Sequence, residues 1–184
     1  MDGRNVSFLA AAAPPEDGQK TIRNSYANMA NQLESDNFVL WWGNSANPAI
    51  DTEEAADLLN SFELAWFSEI DTLGFSAPES TASYKFNVYL GDTGGPSSLG
   101  ANGYYFYDDD DWPMIVIAPE LLGTETGFLT AAHEFFHAIQ DSTGAYVYAD
   151  DAAWYFEATA VWSEAKVYPG NTEYVRFIPS LGFL

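Results

Sequence analysis

The fold and the chemistry of this chain are both decided by residues 130–140, which read TAAHEFFHAIQ. The chain contains two histidines, His133 and His137, and they lie four residues apart. On an α-helix, side chains at this spacing lie one above the other, so two imidazoles can bind one metal ion. Glu134 is turned away from that face, toward a water molecule in the open position of the metal. The stretch therefore predicts two zinc ligands and a general base on one helix.

A helix around this motif is predicted from Gly127 to Gln140. Thr124 and Thr126 offer side-chain oxygens for its N-cap, and apolar residues recur at helical spacing from Leu129 onward. Gly144 is a suitable C-terminal stop. The two histidines are therefore expected beside a buried apolar stripe.

A third protein ligand must complete the site, and the chain has neither a cysteine nor a third histidine. A metzincin site would need glycine at position 140 and histidine at position 143, where this chain has Gln140 and Thr143. A carboxylate is therefore expected. Glu157 lies among apolar and small neighbours on a second predicted helix, residues 154–164, so we predict it as the third ligand of a zinc site with two histidines and one glutamate.

HEFFH at residues 133–137, followed by Glu157, resembles the gluzincin zinc metallopeptidases, whose type member is thermolysin. Residues 132–140 and 157–162 are also similar to a group of poorly characterised bacterial secreted metalloproteases, and the close similarity extends over about residues 130–168. The resemblance implies a zincin-like α+β fold. In that fold a small twisted sheet packs on the active-site helix, a second helix carries the glutamate ligand, and the lower subdomain is minimal or truncated.

The resemblance also implies roles around the second helix, which Asp150 or Asp151 is expected to cap. Tyr148 matches the spacing of a tyrosine that stabilises the tetrahedral intermediate in the thermolysin relatives. Those relatives carry an acidic residue four positions after the glutamate ligand, where this chain has Val161, and a further histidine that this chain lacks. Glu164 is on the same helical face as the ligand and could accept a proton from an imidazole, although a solvated glutamate is the commoner outcome.

The function that these residues predict is that of a zinc metalloendopeptidase acting on polypeptide substrates. One catalytic Zn²⁺ would activate a water molecule, and Glu134 would take its proton and pass it to the leaving amine. Two alternatives use the same residues: a zinc-binding interaction or adhesion module with weak or no catalysis, and a zinc-dependent hydrolase of a non-peptide ester or amide.

The composition limits the partners of the chain. Six Lys and Arg against twenty-seven Asp and Glu give a net charge of −21, which repels nucleic-acid phosphates and anionic membranes. No apolar run approaches the length of a membrane helix. An acidic protein of this kind suits secretion into salty surroundings, and we expect a secreted bacterial protein whose signal peptide is not present in this sequence.

The order of elements predicts the α+β class and one catalytic domain, residues 21–184, after a flexible N-terminal segment, residues 1–20. The apolar C-terminal end suggests either a catalytic fragment of a longer protein or a minimal enzyme. A capping box at Asp51 is expected to begin a long helix that ends at Gly74. The other elements expected are a short helix at 22–33, strands at 38–42, 103–107 and 114–118, and a strand from Tyr84 to Leu90 that alternates apolar and polar residues.

Four consecutive aspartates, Asp108 to Asp111, lie between two of the predicted strands. Calcium takes six to eight oxygen ligands, so this turn is a candidate Ca²⁺ site. The turn has neither the glycine nor the distal glutamate of an EF-hand loop, and a solvated acidic hairpin tip is the main alternative.

Overall fold

The computed structural model of this protein describes residues 19–144 and 152–171. The described residues form a mixed five-stranded sheet and three α-helices, which confirms the α+β class. The strands are β1 (Asn31–Glu34), β2 (Phe38–Trp42), β3 (Phe86–Leu90), β4 (Gly103–Tyr107) and β5 (Pro113–Ile117). The helices are α1 (Thr52–Trp66), α2 (Glu125–Ser142) and α3 (Ala153–Val167), with short 3₁₀ turns at Glu79–Ala82 and Pro119–Leu121.

The sheet has the order β1-β2-β3-β5-β4, so β1 and β4 form its two edges. The three central strands run parallel to one another, whereas each edge strand is antiparallel to its neighbour. Parallel strands need a crossover between them, and α1 provides the one from β2 to β3. The chain direction therefore reverses at β4, the edge strand that lies along α2.

The central strands are buried on both faces, which differs from the alternation expected for Tyr84 to Leu90. All five residues of β3 are buried, including Asn87. The Asn87 Oδ1 accepts a hydrogen bond of 3.1 Å from Trp41 Nε1 on β2, while its Nδ2 has no hydrogen-bond partner among the described residues. A strand covered on both faces has no polar side, so the alternating pattern was the wrong model for it.

Two apolar clusters cover the two faces of the sheet. The larger one joins the sheet to α1, α2 and α3, and at its centre Phe135 packs against Phe38 and Trp66 with ring centroids 5.0 and 5.7 Å apart. The smaller one, around Trp41 and Tyr89, is covered by residues of the segment before β1. The helices therefore all lie against one face of the sheet.

That first segment is not the helix predicted for residues 22–33. Asn24 Oδ1 accepts a bond from the Tyr26 backbone N–H, and Asn24 Nδ2 donates to the Met29 carbonyl oxygen. Such local side-chain bonds compete with helix formation. The segment instead forms turns that bring Met29 into the smaller cluster and then enters β1.

Helix α1 begins as predicted, because the Asp51 side chain accepts bonds from the backbone N–H groups of Glu53 and Glu54. It continues as a π-helical turn, Phe67–Thr72, and the chain leaves it at Gly74, which has a φ of 79°. A π-turn changes the direction in which side chains point, and this one carries Glu69 into the interior beside α3.

Helix α2 extends beyond the predicted bounds, and Thr124 is its N-cap, accepting a bond from the Gly127 N–H. Strand β4 approaches α2 closely at Gly103. A Cβ atom at Gly103 would lie 2.6 Å from Thr130 Cγ2, so a larger residue would push the strand away from the helix. The absence of a side chain at this position sets the spacing between β4 and the helix that carries the two histidines.

Candidate metal centre

Helix α2 presents His133 and His137 on the same face, with ring centroids 4.8 Å apart. His137 is buried and His133 is mostly buried. Their neighbours on the opposite side of the helix, Phe135 and Ile139, are fully packed in the larger cluster. The helix is therefore fixed by its apolar side while the imidazoles face a cleft.

Glu157 comes to the two imidazoles from α3. Its Oε2 lies 3.2 Å from His133 Nε2, and its Oε1 lies 3.6 Å from His137 Nε2. One ligand atom from each of the three residues lies within 4.8 Å of the others. Two atoms bound to one zinc ion in tetrahedral geometry are roughly 3.4 Å apart. The three side chains predicted as ligands are thus brought together at a spacing that one metal ion can bridge.

The remaining ring nitrogens of both histidines are held by other side chains. His133 Nδ1 lies 2.6 Å from Glu164 Oε1, and His137 Nδ1 lies 2.7 Å from Gln140 Oε1. Glu164 is only 13% exposed, so it is not the solvated glutamate that its sequence position favoured. Bonds of this kind fix the orientation of an imidazole and leave the other nitrogen available for a metal.

Gln140 also ties α2 to α3. Its Nε2 donates to the Phe156 carbonyl oxygen at 3.0 Å and to Thr159 Oγ1 at 2.7 Å. Its Oε1 bonds the His137 imidazole. The Gln140 amide therefore holds both this imidazole and α3, the helix that carries Glu157. Gln140 was noticed in the sequence only as the residue that excludes a metzincin. Its position three residues after His137 on the same helix could have indicated that the two side chains are in contact.

The charges around the histidines favour a cation between the two helices. Burial acts to lower the pKa of His133, but its bonds to Glu157 and Glu164 outweigh that effect and raise the pKa to about 10. The pKa of His137 shifts the other way: burial and the neighbouring His133 lower it. The two carboxylates therefore stabilise positive charge at this point, whether a proton or a metal ion carries it.

Glu134 lies beside the ligands and is 8% exposed. Burial raises its pKa to about 7, against the effect of a hydrogen bond from the backbone N–H of Tyr105. The carboxylate thus lies between the candidate metal ligands and edge strand β4. It is within the same cleft as these three side chains.

The cleft has a volume of about 470 Å³ and lies between α2 and β4, with Glu157 at its side. None of the described residues that line it is a lysine or an arginine. These lining residues are Gly103, Tyr104, Tyr105, Phe106, Tyr107, His133, Glu134, His137, Asp141 and Glu157.

Two tyrosines of β4 donate hydrogen bonds to Asp141, which lies one helical turn after His137. The Tyr105 hydroxyl lies 2.6 Å from Asp141 Oδ2, and the Tyr107 hydroxyl bonds the same oxygen. Burial and the bond to Asp141 raise the pKa of Tyr105 well above its ordinary value, so its hydroxyl keeps the proton that it donates. None of these three residues was a predicted site residue, because their proximity depends on how β4 packs on α2.

Tyr148, predicted to stabilise the tetrahedral intermediate, lies outside the described residues, as do the predicted caps Asp150 and Asp151. The described part of α3 begins at Ala153, and its N-cap residue, Ala152, makes no side-chain capping bond. The role of Tyr148 stays a prediction.

The aspartate turn between β4 and β5 is held by the first aspartate itself. Asp108 Oδ1 accepts bonds from the backbone N–H groups of Asp110 and Trp112, and its Oδ2 accepts one from Ser25 Oγ. Within the described residues, Asp108 to Asp111 do not belong to the cluster whose geometry suits a metal ion. Calcium at this turn stays a prediction, and the turn keeps its shape through protein bonds.

The chain matches a family model over residues 10–178, and it therefore belongs to that family, which is described as a family of unknown function (DUF6055). No curated protein and no solved structure matches it in the corresponding comparisons. Among the described helices, none has the length and apolar character needed to cross a membrane.

Proposed function

We propose that this protein is a zinc-dependent metallopeptidase of the gluzincin type, with His133, His137 and Glu157 as metal ligands and Glu134 as the general base. The observation that carries the proposal is the convergence of His133 Nε2, His137 Nε2 and the Glu157 carboxylate in one cleft. The cleft also contains the buried carboxylate of Glu134.

The chemistry of the donors supports zinc as the metal. Two imidazole nitrogens and one carboxylate are the ligands of many catalytic zinc sites, in which a fourth position stays open. Calcium and magnesium prefer sites made entirely of oxygen ligands. The ring nitrogens that face away from the cleft are already bonded to Glu164 and Gln140, as is usual for histidines that bind metal.

Zinc in such a site supplies Lewis-acid activation of a water molecule and of the scissile carbonyl. Glu134 lines the same cleft as the ligands, where its carboxylate would accept a proton from a water molecule and return it to the leaving amine. The Tyr105 N–H holds the Glu134 carboxylate on the β4 side of the cleft. The side chains of this protein therefore account for metal binding and for proton transfer.

Strand β4 supports a polypeptide as substrate. It is an edge strand: one side of its backbone pairs with β5, and no other described strand pairs with its second side, where the Tyr105 N–H bonds Glu134. An extended peptide can add to such an edge through main-chain hydrogen bonds. A peptide placed there would pass the metal ligands with its carbonyl groups within reach of Glu134.

The arrangement of the sheet and helices supports the zincin-like form of the α+β fold. A small mixed sheet with two antiparallel edge strands packs on α2, and α3 brings the third proposed ligand to that helix. Secretion by a bacterium remains part of the proposal, because it rests on the acidic composition and on the resemblance of residues 132–140 and 157–162.

The proposal is tested by metal analysis together with a proteolysis assay of the purified chain. We expect one zinc ion per chain and cleavage of an unstructured protein such as casein that stops when a chelator is added. Glu134→Gln should bind zinc normally and lose activity by roughly 10²–10⁴-fold, the usual contribution of a general base. Glu125→Gln is the matched control, because Glu125 is an exposed glutamate in the first turn of the same helix.

Three outcomes separate the alternatives. Stoichiometric zinc without cleavage by the wild type would support the interaction or adhesion module. If the wild type hydrolyses members of an ester or amide library but cleaves no peptide, and Glu134→Gln loses that hydrolysis, the protein is a non-peptide hydrolase. If the purified chain binds no zinc, the proposed function is wrong.

A further inference from the structure

The cleft contains a carboxylate that the proposed mechanism does not use. Asp141 lines the cleft together with the metal ligands and Glu134. It follows His137 by four residues on α2, so it lies about 6 Å further along the helix. An extended peptide rises by about 3.3 Å per residue, so in a peptide running along the helix the residue about two positions from the metal would face Asp141.

The surroundings of Asp141 suit a basic side chain. Tyr105 and Tyr107 both donate to Asp141 Oδ2, which fixes the carboxylate in the wall of the cleft. Tyr107 is 41% exposed, so its ring is accessible beside the carboxylate. A carboxylate next to an aromatic face can bind a guanidinium or ammonium group through a charge-assisted bond and a cation–π contact.

The charge of the cleft also favours a basic side chain. Its described lining includes the carboxyl groups of Glu134, Asp141 and Glu157, and apart from the two histidines that would bind the metal it contains no lysine or arginine. The whole chain carries a net charge of −21. Such a field attracts cationic peptides and repels acidic ones before any contact is made.

We propose that Asp141 determines specificity by binding a lysine or arginine side chain of the substrate, near the bond that is cleaved. This inference rests on the proposed function, since it places a peptide along β4. It adds the class of substrate: polypeptides with a basic residue about two positions from the scissile bond.

Asp141 also joins α2 to β4, so its replacement must keep that contact. Asp141→Asn retains an oxygen that can accept both tyrosine hydroxyl bonds, removes the negative charge and replaces the other oxygen by an NH2 group. Asp57→Asn is the matched control, because Asp57 is an exposed aspartate on α1 and does not line the cleft. Thermal unfolding of both variants checks that the fold is retained.

The experiment measures peptide binding to zinc-loaded Glu134→Gln protein, in which turnover is blocked, by fluorescence anisotropy. A neutral host peptide carries arginine, its uncharged isostere citrulline, or glutamate at each position in turn. At one position, the peptide with arginine should bind about tenfold more tightly than the peptide with citrulline. This is the gain expected from one charge-assisted hydrogen bond. Introducing Asp141→Asn into the Glu134→Gln protein should remove that preference. Introducing Asp57→Asn instead should leave it unchanged.

The outcomes separate this inference from the function on which it rests. Peptides that bind, and that wild-type protein cleaves, without any preference for arginine over citrulline would overturn the role of Asp141 and leave the peptidase proposal intact. A preference that persists in Asp141→Asn would do the same. If no peptide binds and the wild type cleaves none, the peptidase proposal fails and this inference fails with it.

Discussion

Glu164 Oε1 lies 2.6 Å from His133 Nδ1, on the side of the imidazole that faces away from Glu157. The two glutamates come from the same helix, α3, and they bracket one ring of α2 through its two nitrogens. Seven residues separate them, which is two helical turns and places them on one face. One face of α3 therefore supplies both a candidate metal ligand and the group that orients another ligand.

Replacing Glu164 should weaken zinc binding without removing it. Glu164→Gln keeps the shape of the side chain but lowers the basicity that the carboxylate gives to His133. We expect zinc affinity to fall by about 10–100-fold, the usual effect of losing such a partner. Competition with a chromogenic chelator measures the affinity, and Glu120→Gln, at an exposed position, serves as control. Equal affinity in wild type and Glu164→Gln would show that His133 needs no such support.

Removing Glu157 should cost more zinc affinity than removing Glu164. Glu157→Ala deletes a proposed ligand, so the loss should exceed the roughly 100-fold upper limit seen for residues that only support a ligand. Metal analysis after gel filtration provides the measurement. Stoichiometric zinc in Glu157→Ala would mean that another carboxylate, such as Asp150 or Asp151, completes the site.

Gln140 should affect both zinc binding and stability, because its amide bonds His137 and α3 together. In Gln140→Leu the buried partners of the amide lose their bonds, so the free energy of unfolding should fall by about 1–3 kcal/mol. Zinc affinity should fall by about tenfold or more. Thr159→Val is the matched control, since it removes one bond of Gln140 to α3 and leaves the bond to His137 in place. Thr159→Val should lower stability and leave zinc affinity nearly unchanged, as chemical denaturation and chelator competition would show.

Glu69 should make the stability of the protein depend on pH. It is fully buried, Ser163 Oγ donates a bond to its Oε1, and burial raises its pKa from 4.5 to about 8. The folded state therefore keeps a proton that the unfolded chain releases above pH 4.5. Between these two pKa values the free energy of unfolding should fall as pH rises, by up to about 1.4 kcal/mol per pH unit.

The comparison of Glu69→Gln with wild type isolates this effect, because glutamine does not titrate. The stability of the wild type relative to Glu69→Gln should be greatest below pH 4.5 and should decline until about pH 8. Urea unfolding of metal-free protein over that range measures it, with Asp57→Asn, at an exposed position on α1, as the control. A constant difference between wild type and Glu69→Gln would mean that Glu69 is ionised in the folded protein.

Much of the local structure followed from the sequence. The apolar runs marked β2, β3, β4 and β5 to within about two residues, and the Asp51 and Thr124 caps marked the starts of α1 and α2. The failures have physical causes. Asn24 forms local bonds that compete with a helix before β1, and Asn87 is buried although it is polar, with its Oδ1 bonded by Trp41 on another strand.

The sequence by itself determined which side chains can carry chemistry here. Two histidines at helical spacing, one glutamate between them and no cysteine left few choices, because the period of a helix fixes which neighbours share a face. Only the tertiary structure decided what surrounds them. Glu164, Gln140 and Asp141 acquire their contacts when α3 and β4 pack on α2, and the distances between separate elements depend on long-range packing that no local pattern encodes.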